Sequence, residues 1–274
     1  MEMVTLGELG NKVPIYLRDG KRPDFTFKPW RMKEEKEVAV LKKTHRQLGK
    51  FVRGVFSTMI ETFDGKNWSE MKESEKGLLI NQMPVGAIMY MYCYLRYDAL
   101  GENIKIRDVD CPACGQKIEN YAGDLTTLEV AVQDDEKDST MVYDLHRPFV
   151  IGEVKVIGLR LRHTPWDAME KLDPKRAANE GYMKEAMFLS SVQCCVIEGG
   201  GDVELDKMKV MESLIKADIE GVFSALDEHN GGPRLALEIV CPHCDHEAEM
   251  KLDWDYNFFF GLSSIPKKKK DSLN

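Results

Sequence analysis

The sequence lacks the short catalytic signatures that a chain of this length could carry. It contains no G-x-S-x-G elbow, no H-E-x-x-H helix, no Walker loop and no dinucleotide fingerprint. His45, His146, His163 and His229 are dispersed, so no acid or base is signalled. The triple glycine Gly199-Gly200-Gly201 lacks a following Lys-Ser/Thr pair and reads as a turn. Cations are in deficit, 38 Lys and Arg against 46 Asp and Glu, for a net charge of −8. A general nucleic-acid binder needs a basic face to release phosphate counterions, so that class is disfavoured. The opening residues do not read as a secretory leader, and no tandem repeat or low-complexity stretch is visible. Leu78 to Leu95 is the one run apolar enough to suggest a membrane span. It holds Asn81, Gln82 and Pro84, and a buried core helix is expected instead.

Cysteine is present in an informative pattern. Seven cysteines are an odd number, which fits a reduced chain better than a disulfide framework. Four of them form two C-P-x-C pairs, Cys111-Pro112-Ala113-Cys114 and Cys241-Pro242-His243-Cys244, each after a β-like run. Paired thiols at that spacing, far apart in one chain, read as two knuckles of a tetrahedral four-thiolate zinc site. Three rivals stand beside this reading: a redox dithiol, a structural disulfide pairing and unliganded core cysteines. A redox dithiol wants a helix after its second cysteine, whereas Glu247 to Tyr256 alternates polar and apolar as a strand does. Asp245 stands where the first knuckle has Gly115, and His243 and His246 are alternative ligands. Cys194 and Cys195 lie in an apolar, helix-like context and are expected to be small buried hydrophobes.

The remaining chain divides by periodicity. Residues 1–32 lack a helical pattern and are expected as an extended N-terminal arm. Val38, Leu41, Leu48, Val52, Val55, Met59 and Phe63 recur on one face and predict a long helix. A second helix is expected from Ser74 to Ala99, with Pro84 kinking it or starting its main part and Gly101 closing it. Residues 33–103 thus form a helical part, and 104–165 a β section holding the first knuckle. Within that section Thr126 to Val132 and Met141 to Leu145 are expected to pair around an acidic tip, Asp134 to Asp138. Residues 166–233 form a second helical part, with helices over Arg176 to Ile197 and from Met208 to Leu226. The second knuckle and a C-terminal strand occupy 234–262, and Lys267 to Lys270 lie in a basic tail, 263–274. The fold class expected is α+β, with long amphipathic helices around a β section and a discontinuous four-cysteine zinc ribbon. Phe258, Phe259 and Phe260, with Trp30 on the arm, are candidate partner contacts.

The order of parts carries a resemblance. An arm runs to Phe27-Lys28-Pro29-Trp30 and Glu34-Glu35, and helices end in Tyr94-Leu95-Arg96-Tyr97-Asp98 and Gly101. Asp110-Cys111-Pro112-Ala113-Cys114-Gly115 follows, then a β section, more helices, and Cys241 to Cys244 running to Trp254 and the three phenylalanines. This pattern resembles the baseplate hub assembly proteins, often called assembly chaperones, of contractile-tailed bacteriophages. The resemblance implies a non-enzymatic protein in the host cytoplasm during assembly, and in the virion if it stays in the particle. It would bind other tail proteins, with Zn2+ on Cys111, Cys114, Cys241 and Cys244 and no small-molecule substrate. A zinc-ribbon nucleic-acid-binding or transcription-accessory protein is the competing class.

Overall fold

A computed structural model describes residues 1–17, 19–105, 109–119, 122–134, 140–172, 175 and 179–252. The chain opens with strand β1 (Glu2–Thr5) and one helical turn, α1 (Leu6–Leu9), whose start is fixed by a Thr5–Glu8 capping box. Strand β2 (Phe25–Phe27) precedes helices α2 (Met32–Thr44) and α3 (Leu48–Met59). Phe51, Val52, Val55, Phe56 and Met59 give α3 a single buried face. Strands β3 (Ile60–Phe63) and β4 (Lys66–Asn67) lead to helices α4 (Glu73–Gln82) and α5 (Val85–Leu100). Pro84 separates these two because its ring cannot continue a helix. Helix α5 is apolar on most of its circumference, as a helix through a core must be. Gly101 ends it at φ 82°.

Short strands β5 (Asn103–Lys105), β6 (Val109–Asp110), β7 (Lys117–Ile118), β8 (Ala122–Asp124) and β9 (Glu129–Val132) follow, then the long hairpin β10 (Thr140–Ile151) and β11 (Val154–Arg162). Helices α6 (Trp166–Glu170) and α7 (Glu180–Ser191), strands β12 (Val192–Ile197) and β13 (Asp202–Val203), and helices α8 (Lys207–Ser213) and α9 (Lys216–Asn230) come next. Strands β14 (Gly232–Pro233), β15 (Ala236–Val240) and β16 (Glu247–Lys251) complete the described chain.

Two hydrophobic cores organise these elements. The body core joins α1, α3 to α5, Trp166 and the strands around the cysteines. The second core lies between the sheet β10-β11-β12-β13 and helices α7, α8 and α9. Strand β9 is central in the sheet β1-β9-β14, so the chain leaves the body after β9 and returns beside it, with Gly232 opposite Ala131 and Pro233 opposite Val130. The described residues between 140 and 230 therefore form an inserted unit whose two ends meet. One excursion interrupts it: α6 docks on the body, where the Trp166 indole N–H donates to the Gly49 carbonyl at 3.1 Å.

Several expectations change. The first 32 residues are not an arm: Leu6, Val13, Ile15 and Phe25 have no exposure, and β1 and β2 pair with β9 and β3. The predicted long helix over 33–63 breaks at Gln47 and turns to strand at Ile60, where β-branched Ile60 and Thr62 favour extended backbone. Thr126 to Val132 does not pair with Met141 to Leu145. Leu125–Thr127 is a 3-10 turn, and β10 pairs β11 instead. The predicted helix to Ile197 ends at Ser191, and Cys194 and Cys195 lie on β12. The helix expected from Met208 to Leu226 is two, separated at Leu214. No described helix is long and apolar enough to cross a membrane.

Candidate metal centre

Each C-P-x-C segment is the tip of a small hairpin. In the first, β6 pairs β7, and the Gln116 carbonyl accepts from Cys111 N–H at 2.8 Å. Gly115 N–H donates to the Cys111 carbonyl at 2.9 Å, with Gly115 at φ 70°. The second hairpin, β15 with β16, repeats this turn: Cys241 N–H donates to His246 O and Asp245 N–H to Cys241 O, both at 2.9 Å. Asp245 occupies the left-handed position at φ 54°. The departure noticed in the sequence is therefore accommodated by backbone conformation, not by a different turn.

The hairpins bring all four sulfurs within 4.8 Å of one another. Cys111 Sγ to Cys244 Sγ and Cys114 Sγ to Cys241 Sγ each measure 3.8 Å. Sulfurs at tetrahedral corners about 2.3 Å from a zinc ion stand about 3.8 Å apart. The donor set thus fits zinc, and tetrahedral thiolate also suits iron. Cys111 and Cys241 are buried in the body core, while Cys114 and Cys244 face outward. His243 and His246 are exposed and stand outside the cluster. His243 Nε2 lies 3.3 Å from the Lys117 carbonyl, joining one hairpin to the other.

Hydrogen bonding prepares the thiols unequally. The backbone N–H of Cys114 holds Cys111 well below the ordinary thiol range, at about 6. A backbone N–H from His246 favours the Cys244 thiolate, yet the thiols of Cys114, Cys241 and Cys111, with burial, push Cys244 up to about 12. Without a cation the four sulfurs compete for protons, and a bound divalent ion would displace them. The strand β16 after the second knuckle, in place of a helix, is not the setting of a redox dithiol. A closed set of four thiolates leaves no coordination position for a substrate or water.

Trp30 is half-buried against the body core. Phe258, Phe259 and Phe260 lie outside the described residues, as does the acidic loop from 135 to 138. Sequence reasoning missed the clamp at Asp218 on α9. Its fully buried carboxylate accepts from His146 N–H at 2.7 Å and Arg147 N–H at 3.3 Å. No local motif marks Asp218, because its partners are on a bulge in β10, about seventy positions earlier.

What the fold and site define is a two-core α+β protein whose distant hairpins converge on a closed four-cysteine cluster. The family of T4 bacteriophage base plate proteins matches residues 12–260, and the chain belongs to it. It is thus a phage tail baseplate protein. No curated protein and no solved structure matches the chain.

Proposed function

We propose that this protein is a non-enzymatic component of baseplate or hub construction, acting as an assembly chaperone or a structural part, which binds other tail proteins. Zn2+ on Cys111, Cys114, Cys241 and Cys244 clasps its body. The family match over residues 12–260 carries this reading, and the thiolate cluster supports the metal. The ribbon surface bears exposed Glu119, Asp245, Glu247 and Glu249. That charge suits contact with protein better than with phosphate.

The test is isolation of the tagged chain from infected cells, with mass spectrometry of what accompanies it and metal analysis of the product. Tail or hub proteins and one zinc per chain are expected. Presence in purified particles would identify a structural component, and presence only in assembly intermediates a chaperone. Salt-sensitive retention of DNA without tail proteins would overturn the reading.

A further inference from the structure

At the joint between body and inserted unit, two histidines stack face to face. His163 follows β11 and His229 is near the end of α9, so they mark two places where the chain crosses between the units. Their ring centroids are 4.2 Å apart with planes 4° from parallel, and each residue is only 7% exposed. Neither ring nitrogen of His163 makes a well-aligned hydrogen bond among the described residues.

The surroundings hold the joint closed by neutral contacts. Thr164 N–H donates to Asn230 Oδ1 at 2.8 Å, and the Thr164 and Ser191 hydroxyls share a hydrogen bond of 2.8 Å. The body is joined on the same segment: Val85 N–H donates to Thr164 O and Trp166 N–H to Met83 O, both at 2.8 Å.

We propose that the His163–His229 stack is a proton-sensitive latch: neutral imidazoles pack the joint closed, and protonation loosens the inserted unit from the body.

The charges beside His163 offer it no carboxylate partner among the described lining residues. Arg162, the residue before His163, turns its Nε–H to the Ser190 carbonyl at 3.0 Å, and Lys207 of α8 donates to Leu189 O at 3.0 Å. Beside His163 the body contributes Tyr16 and Gln82, β10 contributes Thr140 and β12 contributes Gln193, with no carboxylate among the lining residues. Asp227 and Glu228 precede His229 on α9, and neither is among the groups that shift His163. Burial, then the neighbouring His229, pushes the His163 pKa down to about 3, against a slight opposing effect of the His229 backbone. A base depressed in this way stabilises the closed joint fully above about pH 6.5, and that stabilisation is lost as pH falls toward 3.

Hydrogen exchange on the full chain tests the latch, read at the Val85 and Trp166 amides, with Cys111 and Cys241 amides reporting the ribbon separately. From the ordinary imidazole value of 6.5 and the folded value of about 3, the opening constant at the joint should rise about 25-fold between pH 7 and pH 5. His163→Phe keeps an aromatic face and should abolish most of that rise. An equal rise in the variant would overturn the proposal. Should His163→Phe fail to fold, NMR titration of the wild-type His163 ring decides: a midpoint far below the ordinary imidazole value supports the latch, and one near 6.5 overturns it.

Discussion

Asp245 shows how one residue sets the quality of a knuckle. Gly115 and Asp245 hold the same left-handed turn, at φ 70° and 54°, but only glycine does so without steric cost. Asp245→Gly should therefore keep the metal and stabilise the ribbon by up to about 1 kcal/mol, read as a raised melting temperature. Asp245→Val should lower metal affinity, because a β-branched side chain resists positive φ. Replacing any one of Cys111, Cys114, Cys241 or Cys244 by Ser should abolish stoichiometric zinc and loosen the tertiary fold, measured by metal analysis and near-UV circular dichroism. Variants at the buried Cys111 and Cys241 should lose more stability than those at exposed Cys114 and Cys244, since they also place a hydroxyl in the core. The convergence of these four cysteines was legible because paired C-P-x-C spacing is local and chemically specific. Asp218 was not, since its role exists only once α9 lies beside the β10 bulge.

Among elements, what sequence periodicity conveyed was burial, and what it missed was pairing. The apolar positions of α3 and the closure of α5 at Gly101 were readable because helix faces repeat within a few residues. The partner of β9 was not, for alternation in Glu129–Val132 says which face is buried and nothing about β1 or β14 beside it. Likewise the apolar residues up to Ile197 fit a helix until β-branched Val192, Val196 and Ile197 are weighed as a strand. Strand β10 shows a further device. It is an edge strand of twelve residues, and such edges invite pairing with other chains. Its bulge gives two N–H groups to Asp218 and carries Pro148, which has none to give. Asp218→Ala would strand both donors, costing about 1–3 kcal/mol and increasing aggregation on heating. Close approach of elements is just as specific. A Cβ on Gly49 would lie 2.7 Å from the Met169 carbonyl and the Glu170 amide, so α6 could not seat. Gly49→Ala should destabilise by about 1–3 kcal/mol, seen as a lower urea midpoint with Trp166 more exposed to quencher.

For the whole molecule, the question is what a clasp adds to a chain with two cores. Cross-linking the ends of a loop of the size between Cys111 and Cys244 would, on chain entropy alone, stabilise by about 5 kcal/mol. Much of that closure is already made: Gly232 and Pro233 pair with Ala131 and Val130, and Arg234 N–H donates to the Glu129 carbonyl at 2.8 Å. A metal bound there would contribute mainly to the ribbon and the body strands it packs on, because Ile118, Leu237, Ile239 and Met250 join the body core and none belongs to the second. Chelation at neutral pH should strip hydrogen-exchange protection from β15 and β16 first, then from β5 and β8, while β11 and β12 keep theirs. The sheet β10-β11-β12-β13 packs on its own helices, and none of the four clustered cysteines belongs to that core. Loss of protection in β11 and β12 at the same rate as in β15 would mean instead that the two cores unfold as one, with the clasp supporting both.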